Sequence, residues 1–201
     1  MSTLRQQRRA ETQRAIQTHA IRLFTERGYD ATTVADVAEA AGVSPMTVYR
    51  HFPTKEDLVL VDEYGALIAG RIAASPAGQP LVRRIGTALV EAAALLTAGT
   101  EKRFLLARLR LMISTPALRA RHLDNVYALQ QAIVDALPAG DPEADFRAHA
   151  AASACLAAMH TALVRWAADD GRADLPDLIS KALAAAFGPE LYTGPCSGKA
   201  G

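Results

Sequence analysis

The stretch Thr33-Val34-Ala35-Asp36-Val37-Ala38-Glu39-Ala40-Ala41-Gly42-Val43-Ser44-Pro45-Met46-Thr47-Val48-Tyr49-Arg50-His51-Phe52 decides the fold. Thr33 followed three residues on by Asp36 is a capping-box pattern, in which side chain and backbone satisfy each other's orphan groups at a helix start. Val34, Val37, Ala38 and Ala41 then line one face of barely two turns, and Gly42 supplies the left-handed residue that ends them. Ser44 is a natural N-cap with Pro45 at the first helical position, where a missing N–H costs nothing, and the second helix runs to about Phe52. Pro53 cannot continue it.

Two short helices joined by a tight Gly-containing turn and preceded by a longer helix make a helix-turn-helix pattern. In that arrangement the second helix enters the major groove of DNA, which is about as wide as a helix, and its N-terminal residues meet base edges. Val37, Ala38, Ala41, Val43, Val48 and Phe52 suit a small core between the two helices. Pro45, Met46, Thr47, Tyr49, Arg50 and His51 remain for the exposed face. Helix pairs with a Gly turn also occur in proteins that never touch DNA, so the pattern alone leaves both readings open.

Working outward, Ile16, Ala20, Leu23 and Phe24 line one face of a helix over about 5–27 that stops at Gly28. Residues 1–56 carry eight Lys and Arg against six Asp and Glu, whereas 57–201 carry fourteen against fifteen. Arg5, Arg8, Arg9 and Arg14 face only Glu11 at the start, a basic arm suited equally to phosphate and to solubility. Downstream, Thr54 with Asp57 repeats the capping-box pattern before Leu58, Val61 and Leu67, predicting a fourth helix over about 55–73. Ser75-Pro76-Ala77-Gly78-Gln79-Pro80 is a joint. Beyond it, Ala-rich helices are predicted over about 81–98, 101–114, 116–137, 143–169 and 175–187, broken at Gly99, Pro116, Pro138-Ala139-Gly140-Asp141-Pro142 and Gly188-Pro189.

The expectation is an all-α fold: an N-terminal three-helix helix-turn-helix domain over 1–56, with helix four as connector, and a larger helical bundle over 57–190 for ligand binding and dimerisation. Residues 191–201, with Pro195, Cys196 and Lys199, read as a disordered tail. Composition agrees, since 50% of residues are hydrophobic and 21% charged but only 5% aromatic, which leaves little to build strands from. Cys155 and Cys196 form neither a disulfide framework nor a metal cluster, and with no apolar run of about eighteen residues the expected location is the cytoplasm.

An enzyme finds no support. Gly65-x-x-x-x-Gly70-Arg71-Ile72 has the glycine spacing of a phosphate loop but lacks its Lys and Ser/Thr and falls inside a predicted helix. Five dispersed His and two distant Cys make no zinc pattern, so neither cofactor nor metal is expected.

The run Phe24-x-x-x-Gly28-Tyr29-x-x-Thr32-Thr33-Val34-x-x-Val37-Ala38-x-x-Ala41-Gly42-Val43-Ser44, continued by Thr47-Val48-Tyr49-x-His51-Phe52-x-x-Lys55-Glu56-x-Leu58, closely resembles the TetR-family DNA-binding domain over about residues 9–60. The resemblance implies that Thr33, Tyr49, His51 and Lys55 lie at the phosphate backbone, positioning rather than specifying. Thr33 and Lys55 stand where helix starts also offer N–H groups to an anion. Thr47 and Met46 are the favoured base readers, Thr through hydroxyl or methyl and Met against a thymine methyl. Arg50 has the fork that matches guanine, although its late position on the helix aims it equally at phosphate. Ser44 and Pro45 at the helix start, with Arg5 and Arg8 on the arm, complete the expected DNA-facing set.

For the remainder, the family implies that the last two long helices form a four-helix bundle with a partner subunit. Ala150, Ala151, Ala154, Ala157 and Ala158 offer a smooth surface, and Leu178, Leu183, Ala186 and Phe187 an apolar face. A homodimer is expected because one short recognition helix contacts too few bases to select an operator on double-stranded DNA. The stretch Arg110-Leu111-x-x-x-x-Pro116-x-Leu118-Arg119 is similar to the C-terminal domain of mycofactocin-type regulators, which implies an acyl-CoA-like effector. Met112, Tyr127, Cys155, Met159, His160 and Trp166 are candidates for a mainly apolar pocket, with core packing, and for His160 an interior position, as the alternative. Release from DNA would then be a population shift between dimer geometries, with repression as the family's default. A helical binding module that has lost DNA affinity is the remaining alternative.

Overall fold

The computed structural model describes residues 2–60, 64–99, 101–137 and 140–189. Every regular element among them is a helix: α1 (Ser2–Arg27), α2 (Val34–Ala40), α3 (Pro45–His51), α4 (Asp57–Leu60), α5 (Tyr64–Ala74), α6 (Leu81–Leu96), α7 (Glu101–Ser114), α8 (Pro116–Asp135), α9 (Pro142–Ala168) and α10 (Leu175–Phe187). The predicted fourth helix is represented by α4 and α5, with residues 61–63 outside the described residues. The tail expected over 191–201, including Cys196, lies outside them as well. The rejected phosphate-loop spacing, Gly65 to Gly70, is helical within α5.

The chain forms two compact units, one of residues 1–61 with 103–123, the other of 62–102 with 124–201. In the first, α1 packs on α2 and α4, and α2 packs on α3. Ile16, Ala20, Leu23 and Phe24 of α1 are buried, as are Val37, Ala38, Val48, Phe52 and Leu58, at the spacings the sequence predicts. Ala41 and Val43, expected in the same core, are only half-buried, because both lie in the turn itself. The segment 103–123 contributes Leu105, Leu109 and Met112, one buried stripe of α7, together with Leu111 and Leu118. Arg14, part of the expected basic arm, lies with its guanidinium 4.0 Å over the ring of Phe104, which joins α7 to α1. At the corner after α7, Arg119 donates to the carbonyl of Ile113 at 2.6 Å and so caps that helix's C-terminal end.

The second unit is built around α6, which packs on α5, α9 and α10, while α9 and α10 pack on each other. Ala88, Ala92 and Ala93 of α6 and Ala148, Ala152, Ala158 and Ala162 of α9 are buried, so the helices meet through small side chains. Asp141 and Asp174 cap α9 and α10 by accepting from the N–H groups of Ala144 and Asp177 at 2.8 and 2.9 Å. Arg84 is buried and satisfied by Ser75 Oγ at 2.8 Å and the Ile72 carbonyl at 3.1 Å, which tethers the end of α5 to α6. Trp166 is fully buried and donates its Nε1–H to the Ala173 carbonyl at 2.9 Å, fixing the α9–α10 connection.

Of the five alanines expected to form one smooth face on α9, Ala158 is turned into the core and Ala151 and Ala154 are half-buried. Only Ala150 and Ala157 are exposed, and they continue a stripe of Phe146, Ser153, Thr161, Val164 and Ala168, each three or four residues from the next.

Candidate nucleic-acid interface

The turn between α2 and α3 is set by two backbone bonds. Gly42 (φ +66°) donates to the Glu39 carbonyl at 3.1 Å and Val43 to the Ala38 carbonyl at 3.0 Å, the paired bonds of a Schellman ending. A side chain at Gly42 would strain that left-handed residue. Ser44 then takes an extended conformation and its Oγ accepts from the Thr47 N–H at 3.1 Å, with Pro45 at the start of α3. The two hydroxyls, Ser44 Oγ and Thr47 Oγ1, lie 3.0 Å apart.

Helical geometry sorts the seven residues of α3 into two sides. Val48 and the following Phe52 are buried on the side where α3 packs on α2, with the Phe52 N–H donating to the Val48 carbonyl at 2.8 Å. Met46 at 76% exposure, Tyr49 at 49%, and the exposed Pro45 and Arg50 form the opposite side, with Thr47 and His51 half-buried at its edges. A large apolar side chain left this open on a helix whose other side is fully packed is available to a partner.

His51 Nδ1 is buried and has no hydrogen-bond partner among the described residues. Burial holds its pKa below the ordinary value of 6.5, and the positive charges of Arg50 and of Arg9 on α1 add to that, so the ring is neutral near pH 7. Arg9, named in the basic arm but not in the expected DNA-facing set, thus lies within electrostatic reach of His51 at the end of α3. Arg5 and Arg8 are exposed on the same helix.

Thr33 caps α2 through the expected box: its N–H and Oγ1 donate to Asp36 Oδ2 at 2.7 and 2.6 Å, and it accepts from the Asp36 N–H at 3.1 Å. Those hydrogen bonds lower the Asp36 pKa. Lys55 is tied inward, its Nζ donating to the Tyr29 carbonyl at 2.6 Å and lying 4.2 Å over the Tyr29 ring. Tyr29 in turn donates its hydroxyl to Glu56 Oε1 at 3.0 Å. Burial and then Glu56 push the Tyr29 phenol well above its ordinary value. Burial alone would raise Glu56, but hydrogen bonds from its own backbone, Tyr29 and Thr54 prevail and hold its carboxyl below the usual 4.5. Tyr29, Lys55 and Glu56 thus clamp the end of α1 to the start of α4, a contact across 26 and 27 residues with no local signature.

The six residues expected to line a pocket are not gathered in one unit. Met112 is buried in the first, whereas Tyr127, Cys155, Met159, His160 and Trp166 belong to the second. Cys155 and Trp166 are buried there, Met159 is half-buried, and Tyr127 and His160 are exposed. His160 is therefore not interior, because its position on α9 falls on the exposed stripe. Burial pushes the Cys155 thiol up to about 12, so it is a packed thiol and not a nucleophile. Among the described residues no group of side chains could hold a metal ion, and no helix is long and apolar enough to cross a membrane.

The fold and the exposed α3 define a helix-turn-helix regulator on an all-helical body. Residues 16–61 match the model of the bacterial regulatory proteins of the tetR family, and residues 79–187 match the MftR C-terminal domain. The chain belongs to the TetR family of bacterial transcriptional regulators, which are not enzymes. It is similar to the HTH-type transcriptional regulator TcmR of Streptomyces glaucescens, with 32% identity over 60% of this chain and 56% of that protein. It is also similar to the HTH-type transcriptional repressor KstR2 of Rhodococcus jostii, with 52% identity over 20% of each. The chain thus spans little more than half, and a fifth, of the length of these relatives. The fold is shared with Thermus thermophilus FadR in complex with lauroyl-CoA, at 23% identity and TM-score 0.54 over 94% of this chain and 99% of that one. It is shared too with Bacillus subtilis FadR in complex with stearoyl-CoA, at 17% identity and TM-score 0.54 over 87% and 97%.

Proposed function

We propose that the protein is a cytoplasmic transcriptional repressor that binds a palindromic operator as a homodimer and is released by a small apolar or acyl-CoA-like effector. The observation that carries the DNA half is α3, with Met46, Tyr49 and Arg50 turned outward on a helix locked from behind by Val48 and Phe52. Met46 and Thr47 read bases, Arg50 reads guanine or phosphate, and Thr33, Tyr49, His51, Lys55, Arg5 and Arg8 hold the phosphates, with Ser44 and Pro45 presenting the helix start. Lys55 has further ammonium N–H groups beside the one donated to Tyr29.

In this reading residues 1–56 read DNA and 57–190 sense the effector and dimerise. The exposed stripe on α9, from Phe146 through Ala150 and Ala157 to Val164, supports pairing, since small residues permit close helix approach. Two proteins of the same fold are described with acyl-CoA thioesters bound, which supports the effector class. Met112, Tyr127, Cys155, Met159, His160 and Trp166 are the candidate contacts. The effector acts by favouring a dimer in which the two recognition helices no longer match major grooves about 34 Å apart.

The test is binding of the purified protein to the DNA upstream of its own gene, at fixed salt, with and without lauroyl-CoA and stearoyl-CoA. Specific binding released by either thioester is the expected result. Specific binding indifferent to both removes the effector class, and absence of specific binding turns the reading to a helical binding module.

A further inference from the structure

The formal net charge of +1 conceals a segregation by unit. The unit of residues 1–61 and 103–123 holds thirteen Lys and Arg against seven Asp and Glu, a formal +6, and the other holds nine against fourteen, a formal −5. The segment 103–123 accounts for most of the excess, with five arginines, one histidine and no carboxylate. Glu101 and Asp124 flank it outside its two ends.

Arg103, Arg110, Arg119 and Arg121 of this segment are all exposed. Arg103 and Arg110 are seven residues apart, hence on one side of α7, while Leu105, Leu109 and Met112 hold another side in the core. The segment is anchored to the same helix that carries the basic arm, through Arg14 over Phe104 at 4.0 Å. Five residues earlier on α1, Arg9 acts on His51 at the end of α3. Exposed arginines therefore stand on α1, α3, α7 and the start of α8, all within one unit.

We infer that Arg103, Arg110, Arg119 and Arg121 form a second phosphate-facing surface, which extends the DNA contact of this unit beyond its helix-turn-helix. The partner is the duplex backbone, read for its charge and not its sequence. Concentrating +6 on the unit that carries α3 while the rest of the chain is negative is what a polyanion demands. The inference rests on the DNA-binding reading above.

The experiment measures binding to a random-sequence duplex and to the duplex upstream of the protein's own gene, by fluorescence anisotropy across potassium chloride concentrations. The full chain is compared with the double variant Arg103→Gln/Arg110→Gln, which spares the Arg119 cap and the Arg14 contact. Each phosphate that is no longer neutralised makes the slope of log affinity against log salt shallower by about 0.9, so the double variant is expected to lose roughly 1.8 per protomer, about 3.6 for the homodimer. Affinity for both duplexes falls together, and Arg103→Lys/Arg110→Lys restores the slope. An unchanged slope in a variant with unaltered thermal melting overturns the inference and leaves the reading standing. An unchanged slope with weakened lauroyl-CoA binding also overturns it and assigns these arginines to an anionic effector. Absence of salt-dependent binding by the unaltered protein overturns both.

Discussion

Lys55 Nζ and the carbonyl oxygen of Tyr29 are 2.6 Å apart, and the same ammonium lies 4.2 Å over the Tyr29 ring. Because the next residue, Glu56, accepts the Tyr29 hydroxyl, the two neighbours grip one tyrosine from both ends. The start of α4 is thereby fixed to the end of α1, and any movement of α4 must carry α1 with it or break this clamp.

Tyr29→Phe keeps the ring and removes the hydroxyl bonded to Glu56. The expected cost is about 1 kcal/mol, since Glu56 keeps its other partners. Chemical denaturation of the variant checks this, and no loss of stability would contradict the clamp.

The same pair predicts the pH response. Glu56 is lowered from 4.5, so its contribution is present above that pH and is lost as pH falls through the folded-state value. Tyr29 is raised from 10.0, so its neutral phenol contributes below that pH and the contribution is lost as pH rises through the folded-state value. Denaturation midpoints measured from acid to alkali are expected to show both limbs, and Tyr29→Phe to remove the alkaline one.

His51 titrates below 6.5 in the DNA-free protein, by burial first and then by Arg50 and Arg9. A histidine lowered in the fold adds stability above 6.5 that is lost as pH falls through its folded value. Arg9→Gln is expected to raise the midpoint without restoring 6.5, because burial persists. An NMR titration of the His51 ring protons decides: a midpoint that Arg9→Gln leaves unmoved would refute the placement of Arg9, and one at or above 6.5 in the unaltered protein would refute the burial of the ring.

Met46→Ala separates reading from folding. At 76% exposure the side chain contributes little to the core, so stability should stay within about 0.5 kcal/mol. Operator affinity should fall by about 1 kcal/mol or more, with a smaller loss on a random duplex. Equal losses on both duplexes would remove Met46 from the base readers.

Much of this is legible in the sequence because its causes are local. The boxes Thr33–Asp36 and Thr54–Asp57, the Ser44-Pro45 start and the glycine endings at Gly28 and Gly42 each lie within a few residues, and the elements form where those signals stand. Contacts distant in the chain leave no such mark. The grip of Lys55 and Glu56 on Tyr29, the stacking of Arg14 on Phe104 and the joining of 103–123 to the first unit depend on tertiary packing. The interior alternative for His160 fails for a related reason, since the abundance of small residues on α9 blurs which side is inward.

That the first unit is discontinuous has a consequence for how the protein is made. When the ribosome has delivered the first 61 residues, Phe104, Leu105, Leu109 and Leu118 do not yet exist, and 41 residues of the other unit must be synthesised before they do. The nascent head waits incomplete for several seconds at ordinary elongation rates of about 5–20 residues per second. A nascent chain stalled before Leu123 is thus expected to be more open to proteases and chaperones than the finished protein, so competence to engage DNA matures late in synthesis although the reading helix is among the first elements made.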